Sequence, residues 1–144
     1  MPIVPLVLNI IWIVCGGLWM AVGWGIAGII MALTIVGLPW SAAAFRMAAY
    51  TLLPFGHKVV SRLDHTGEET LGTGPLGVIG NILWLLLAGW WLALAHVVIA
   101  IVLAVTIIGI PFAWAHLKLA GLALWPIGKM IVPNVEAPLP FPGR

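Results

Sequence analysis

Charged side chains are scarce in this chain of 144 residues. It holds 6 lysines and arginines and 4 acidic residues, 7% in all, whereas an average soluble domain is about 25% charged. No charged residue precedes Arg46, and none lies between Thr70 and Leu117. Each of these runs is far longer than the ~18 apolar residues that indicate a transmembrane helix. The scarcity of charge therefore excludes an ordinary soluble domain and predicts an integral membrane protein.

The residues that several chemical functions need are also missing. Cys15 is the single cysteine, so no disulfide forms within the chain, and we interpret it as a small buried hydrophobe. All four acidic residues lie outside the apolar runs, which leaves no carboxylate for catalysis within a membrane. The histidines and acids around residues 57–69 match no closed zinc pattern, and a net charge of +2 is too small for a nucleic-acid surface. We expect no enzyme activity, cofactor, metal or nucleic-acid partner.

What the chain does contain is an internal repeat. Residues 9–60 align without a gap on residues 81–132, and 18 of the 52 aligned positions are identical. Shared hydrophobicity alone would not give so many identities, so we interpret the two stretches as copies of one unit. Residues 34–39 read Thr-Ile-Val-Gly-Leu-Pro, and residues 106–111 read Thr-Ile-Ile-Gly-Ile-Pro.

These six-residue motifs are interpreted as helix breaks. Proline disfavours the α conformation for the residue before it, and glycine adds backbone freedom just upstream. Proline is tolerated at a first helical position, so each motif closes one helix and opens another. A threonine hydroxyl can bond backbone groups that the break sets free. The predicted hinge residues are Thr34, Gly37 and Pro39 with their copies Thr106, Gly109 and Pro111.

Each copy thus predicts a long apolar helix followed by a shorter one. Residues 6–33 would form a helix of roughly 42 Å, which can cross a ~30 Å hydrocarbon layer with tilt. This segment lacks the basic start of a secretory signal, so we interpret it as retained. Gly17, Ala21 and Gly25 are spaced four apart and predict a face for close helix packing.

The shorter segments are residues 39–53 and 111–125, each roughly 23 Å long as a helix. That length leaves three arrangements open: a tilted span, a re-entrant helix or an interfacial helix.

The predicted fold is an all-α integral membrane protein built from two tandem parallel repeats. Its divisions are a first membrane repeat (1–56), a cytoplasmic linker (57–77), a second membrane repeat (78–132) and a proline-rich tail (133–144). Lysine and arginine are found in the linker and near the C-terminal end, and cytoplasmic segments carry an excess of both. We therefore predict that linker and C-terminus share the cytoplasmic side, so that each repeat enters and returns on that side.

Several segments carry a resemblance to a known family. They are 9–12 (Asn-Ile-Ile-Trp), 81–84 (Asn-Ile-Leu-Trp), 89–92 (Gly-Trp-Trp-Leu), 106–112 and 123–128. Together they resemble the YccF family of bacterial inner-membrane proteins, in one order from about residue 8 to residue 132. The resemblance implies a multi-pass protein of the bacterial cytoplasmic membrane. It brings no catalytic residues to this chain, and the tail lies outside it.

Asn9 and Asn81 are candidate site residues because they are polar and hold the same position in the two copies. Each precedes a tryptophan, Trp12 or Trp84, by three residues. In one interpretation the amides line a path or bind a substrate. In the other they are hydrogen-bond glue between helices near the membrane interface, with the tryptophans as interface anchors.

His96 stands in the second long helix where the first copy has Trp24. An ionisable residue within a membrane is a functional candidate. A lone neutral histidine without an acidic partner also fits a packing role, satisfied by one hydrogen bond.

Arg46 and Lys118 hold the same position in the two short segments, and His116 lies two residues before Lys118. Around the axis of an oligomer these cations would favour anions. At the cytoplasmic face they would instead contact anionic lipid headgroups.

Two functions remain open from the sequence. The first is a structural or accessory component of the lipid bilayer, which packs against itself or against other membrane proteins through its small-residue faces and tryptophans. The second is a homo-oligomeric channel or small transporter, with Arg46, Lys118, His96 and the asparagines facing the path. One chain has too few helices to enclose a wide path, so the second function requires an oligomer.

Overall fold

The computed structural model describes residues 2–134 and is mostly helical. The first repeat contains α1 (Ile3–Trp12), α2 (Leu18–Leu33), α3 (Leu38–Leu52) and β1 (His57–Ser61). A short helix, α4 (Arg62–Thr66), follows. The second repeat has the same order of elements: α5 (Gly74–Trp84), α6 (Trp90–Val105), α7 (Ile110–Leu124) and β2 (Lys129–Pro133). The predicted proline-rich tail lies outside the described residues from position 135 onward.

Each repeat folds into a helical hairpin, in which α2 packs along α3 and α6 packs along α7. The two motifs provide the turns, and their threonines bond the backbone on both sides. Thr34 Oγ1 donates to the carbonyl of Met31 (2.7 Å) and accepts from the N–H of Gly37 (3.0 Å). Thr106 makes the same pair of bonds in the second copy, at 2.8 and 3.1 Å. The carbonyls that helix ends leave unpaired are thus partly satisfied within the turn.

A π-helical turn interrupts each long helix, which the sequence did not predict. The turns are Ile13–Gly17 between α1 and α2, and Leu85–Gly89 between α5 and α6. In the first of them Cys15 and Gly16 leave the helical conformation, and Gly16 has φ 108°. Glycine reaches this left-handed region without a Cβ clash. The helix predicted over residues 6–33 is therefore divided into two α-helical segments by a turn whose hydrogen bonding differs from theirs.

A two-stranded antiparallel sheet corrects the all-α prediction. β1 pairs with β2, and Val59 lies opposite Ile131. Each strand follows a Pro-x-Gly turn and contains β-branched residues, which favour extended backbone. The charges around β1 hide this short apolar stretch, so composition alone assigned it to a solvated linker.

Residues at the same position of the two copies contact each other in two places. Val59 faces Ile131 in the sheet, and Trp24 Nε1 lies 3.2 Å from His96 Nε2 between the helices. A residue meets its own counterpart only near a two-fold axis that relates the copies. The repeats are therefore related by an approximate two-fold axis that passes through both contacts.

The predicted small-residue packing face is used only in part. Gly28 lies against Ala44 and Phe45 of α3, whereas Gly17 makes room for the indole of Trp12. A Cβ at Gly25 would meet no atom within 4 Å. Close packing through glycine therefore operates within the hairpin and does not form a continuous contact between the two long helices.

The hydrophobic core lies between the two hairpins, and apolar side chains also cover their outer faces. Two helical segments, Ile3–Leu33 and Gly74–Val105, are long and apolar enough to cross a membrane. An apolar exterior over buried polar groups is the reverse of a soluble helical bundle, where polar residues face outward.

Candidate functional site

Asn9 and Asn81 each close the open end of a hairpin. Asn9 Nδ2 donates to the carbonyl of Phe55, and its Oδ1 accepts from the N–H of the same residue, both at 3.0 Å. Asn81 makes the same two bonds to Ile127 at 2.9 Å. Each amide thus binds backbone just after the short helix of its own repeat, and not a side chain on another long helix. Both asparagines are buried, so neither faces a path through this chain.

Trp12 and Trp84 reinforce the same closure one turn further along. Each indole Nε1 donates at 2.7 Å to a backbone carbonyl, of Thr51 in the first copy and of Ala123 in the second. These carbonyls belong to the last turns of α3 and α7, where a helix leaves its acceptors unpaired. The prediction that the two tryptophans are interface anchors is wrong, because both indoles are buried in the protein.

His96 belongs to a buried chain of four hydrogen-bonded groups. Trp24 Nε1 donates to His96 Nε2 at 3.2 Å, and His96 Nδ1 lies 3.0 Å from His116 Nδ1. His116 Nε2 lies 3.2 Å from the carbonyl oxygen of Cys15. The interpretation of His96 as a lone histidine is therefore corrected. The chain connects both repeats, since Trp24 and Cys15 lie in the first and the two histidines in the second.

The partners determine the tautomers of the two histidines. An indole nitrogen only donates, so His96 Nε2 accepts, and the proton of a neutral ring is then on Nδ1. His96 Nδ1 donates to His116 Nδ1, which leaves His116 Nε2 to donate to Cys15. With both imidazole rings neutral, each group in the chain donates to the next one, from Trp24 through His96 and His116 to Cys15. The chain begins at an indole donor and ends at a carbonyl acceptor, so it ties the two repeats together.

The π-helical turn at Cys15 and Gly16 positions the end of this chain. A Cβ on Gly16 would lie 3.4 Å from His116 Nε2, so the glycine lets the imidazole approach the backbone. His116 also stacks on Trp12, with ring centroids 4.2 Å apart.

Sequence reasoning grouped His116 with Lys118 and did not pair it with His96. A usable signal was present, because both histidines depart from the repeat: their counterparts in the first copy are Trp24 and Ala44.

Arg46 and Lys118 are exposed, one on α3 and one on α7. Lys118 Nζ lies 5.8 Å from the centroid of the Trp114 ring, one turn earlier on its helix. This is a cation–π distance, so the aromatic ring partly compensates the charge. Neither cation joins the buried chain of histidines.

Between residues 2 and 134, no three histidine, cysteine or acidic side chains come close enough together to hold a metal ion. The two buried histidines use their ring nitrogens on each other and on Trp24 and Cys15.

Comparison with known proteins matches both repeats separately. Residues 7–57 and 79–129 each match the YccF family model, described as an inner membrane component domain. The chain is 37% identical over 129 residues to the inner membrane protein YccF of Escherichia coli (strain K12), covering 88% of this chain and 86% of that protein. The protein of the same name from Shigella flexneri matches with the same identity and coverage. No solved structure matches the chain.

Proposed function

Because the chain belongs to the YccF family of inner membrane components, we propose that it is a structural or accessory protein of the bacterial cytoplasmic membrane. It acts by packing its helices against a second copy or against other membrane proteins, and it catalyses no reaction. The proposal is carried by one observation: the polar side chains of the long helices bond within the protein, while the outer faces are apolar.

The exposed apolar surface supports packing against lipid or protein. Three tryptophans face outward on different helices: Trp19, Trp90 and Trp114. Large aromatic side chains supply contact area at low cost in side-chain entropy, and aromatic residues are enriched at protein interfaces. These three residues are the expected contact points with a second copy or another membrane protein.

Both hairpins enter the membrane from the side that holds the sheet. β1 follows the first hairpin, β2 follows the second, and the two strands pair, which supports a common side for both exits. The lysines of the strands, Lys58 and Lys129, lie there, and the positive-inside tendency assigns that side to the cytoplasm.

The far ends of the hairpins lie within or against the apolar layer and form no hydrated loop. α3 and α7 have 15 residues each, about 22 Å as helices, which is shorter than a ~30 Å hydrocarbon layer. The turn side chains are apolar and largely exposed: Ile35 by 79%, Ile107 by 85% and Ile108 by 84%. Exposure of three such residues to water would be unfavourable, whereas exposure to lipid is not.

Cysteine labelling in membrane vesicles tests this arrangement. In a Cys15→Ser background, Asp64→Cys is expected to react with a charged thiol reagent only from the cytoplasmic side, and Ile107→Cys from neither side. Labelling of Ile107→Cys by reagent added from the periplasmic side would contradict the proposal that the hairpin turns lie within the apolar layer. Labelling of Asp64→Cys from the periplasmic side alone would show that the sheet faces the periplasm and not the cytoplasm.

The accessory role itself is tested by association. Crosslinking in native membranes and mass photometry in nanodiscs are expected to give a self-complex or a discrete heteromeric complex. Trp19→Ala or Trp114→Ala should weaken that complex, whereas Trp84→Ala should act through folding. A monomer without partners under all conditions contradicts the proposal.

The channel alternative has less support. It needs Asn9, Asn81 and His96 on a path, yet all three are buried and bonded within one chain. A liposome assay separates the two functions: we expect no anion or cation flux from the wild type, and no difference for Arg46→Ala or Lys118→Ala.

A further inference from the structure

An open cavity of about 630 Å³ lies where β1 of the first repeat approaches α7 of the second. Its walls are the turn and strand over residues 54–61, one side of α7, and the side chain of Tyr50. The cavity is therefore at the sheet end of the molecule, on the boundary between the apolar helices and the strands.

Among residues 2–134, the charged side chains that line this cavity are all positive. Lys58, Lys118 and Lys129 line it together with His57. The acidic residues of the described chain, Asp64, Glu68 and Glu69, are absent from its walls. Three of the six lysines and arginines in the sequence thus belong to the wall of one cavity, and none of its described lining residues is acidic. Side chains alternate along a strand, so Lys58 and Lys129 approach the cavity from opposite faces of the sheet.

The duplication accounts for part of this concentration of cations. Lys118 has Arg46 as its counterpart in the first copy, and His57 and Lys129 are counterparts of each other. Lys58 has Met130 as its counterpart, so the two-fold-related position lacks the charge of Lys58.

Lysine ammonium groups bind phosphate as point charges, each with three donors that adjust to the anion. Apolar side chains of α7, Leu119 and Leu122, form the floor beside them. A cavity of 300 to 1,000 Å³, by rough survey limits, suits a small organic ligand. We propose that this cavity binds a phosphate-bearing anion, supplied by the headgroup of an anionic phospholipid or as free phosphate. The proposal does not depend on the accessory role.

The test compares ligands on the full chain purified in mild detergent. Native mass spectrometry is expected to show phosphatidylglycerol retained in preference to phosphatidylcholine. Inorganic phosphate is added separately, with thermal unfolding as the readout. Selective retention of the anionic lipid identifies the headgroup as the source, whereas stabilisation by millimolar inorganic phosphate without lipid selectivity identifies free phosphate.

The lysines are tested together and against a matched control. The triple change Lys58→Gln, Lys118→Gln and Lys129→Gln should weaken binding on the order of 100-fold, because each basic group contributes a factor of about five. Arg46→Gln removes the counterpart of Lys118 outside the cavity and should leave binding unchanged. If the triple variant does not fold, Lys58→Gln alone serves, since Met130 shows that an uncharged side chain is accepted at that position.

Any one of three results overturns the proposal. The first is that neither ligand binds the wild type, and the second is that the lysine variants bind as tightly as the wild type does. The third is that Arg46→Gln weakens binding as much as the lysine changes do.

Discussion

Thr51 holds a buried hydroxyl that has no hydrogen-bond partner among residues 2–134. Its backbone carbonyl accepts from Trp12, but its Oγ1 is left without a bond. The counterpart in the second copy is Ala123, which makes the same backbone contact without a hydroxyl. The hydroxyl of Thr51 is therefore unnecessary for the closure and unfavourable where it lies.

Replacing Thr51 by valine should stabilise the protein by about 1 to 2 kcal/mol, because an unbonded buried hydroxyl is exchanged for a methyl group of the same shape. Thr34→Val is the matched control and should destabilise by about 1 kcal/mol, because its hydroxyl makes two bonds. Thermal unfolding in detergent measures both changes. The same sign for the two variants would contradict this account.

The buried histidine chain predicts that its members are energetically coupled. His96→Leu leaves the Trp24 N–H and one nitrogen of His116 unbonded, so it should destabilise by about 2 to 4 kcal/mol. The double variant with His116→Leu should lose less than the sum, with a coupling energy of about 1 kcal/mol. A double-mutant cycle measures this difference. Combining His96→Leu with Thr34→Val should be additive, and additivity for the histidine pair would show that they do not interact.

The two helix breaks have the same sequence pattern but different backbones. Ile35 has φ 63°, which is rare for a β-branched residue, and it is the one residue other than glycine with positive φ in the described chain. In the second break Thr106 is extended, with ψ 130°, and Ile107 has negative φ. The first turn is therefore strained at Ile35, and the second is not.

Ile35→Gly should stabilise the protein by about 0.5 to 1 kcal/mol, because the relief of about 1 to 2 kcal/mol at positive φ exceeds the cost of the freedom that glycine adds to the unfolded chain. Ile107→Gly is the control and should destabilise by about 0.5 to 1 kcal/mol, since it only adds freedom to the unfolded chain. Both side chains are largely exposed, so little packing is lost in either variant. Unfolding temperatures in the same detergent compare the two; a lower stability for Ile35→Gly would show that the turn is not strained.

The elements that sequence reasoning predicted well are those set by local chemistry. The repeat and the helical pattern follow from identities at fixed spacing and from apolar runs. The strands were missed because Val59 and Val60 lie among charges, and their partner strand is about 70 residues away. The π-helical turn at Gly16 was missed because a glycine in an apolar helix is equally compatible with packing.

The candidate site was harder to predict because its contacts join residues that are far apart in the sequence. Asn9 and Asn81 were recognised from their position in the repeat, but their partners are the backbones of Phe55 and Ile127, each 46 residues later. Every residue has a backbone carbonyl, so the sequence does not indicate which carbonyl accepts a given hydrogen bond. His96 was recognised without its partner, because pairing with His116 depends on how α6 packs against α7.

The whole molecule is organised about the approximate two-fold axis through the Val59–Ile131 pair. Directly opposite residues of antiparallel strands have Cα atoms roughly 4.5 to 5.5 Å apart, which is within the range of a disulfide. In a Cys15→Ser background, Val59→Cys with Ile131→Cys should therefore crosslink on mild oxidation.

Lys58→Cys with Lys129→Cys is the control, because these residues are three positions out of register and should not crosslink. Gel mobility with and without reductant reports both. Absence of the first crosslink in a folded protein would exclude the strand register and the common side of the two repeats.

The contact between Trp24 and His96 on this axis has a consequence for the origin of the chain. In a homodimer of single hairpins, one residue type would face itself on the axis, and two indoles, which only donate, cannot bond each other. Joining the two halves in one gene lets the facing positions differ, so that a donor meets an acceptor. The Trp24–His96 bond is thus an interaction that an ancestral symmetric pair of identical subunits could not form.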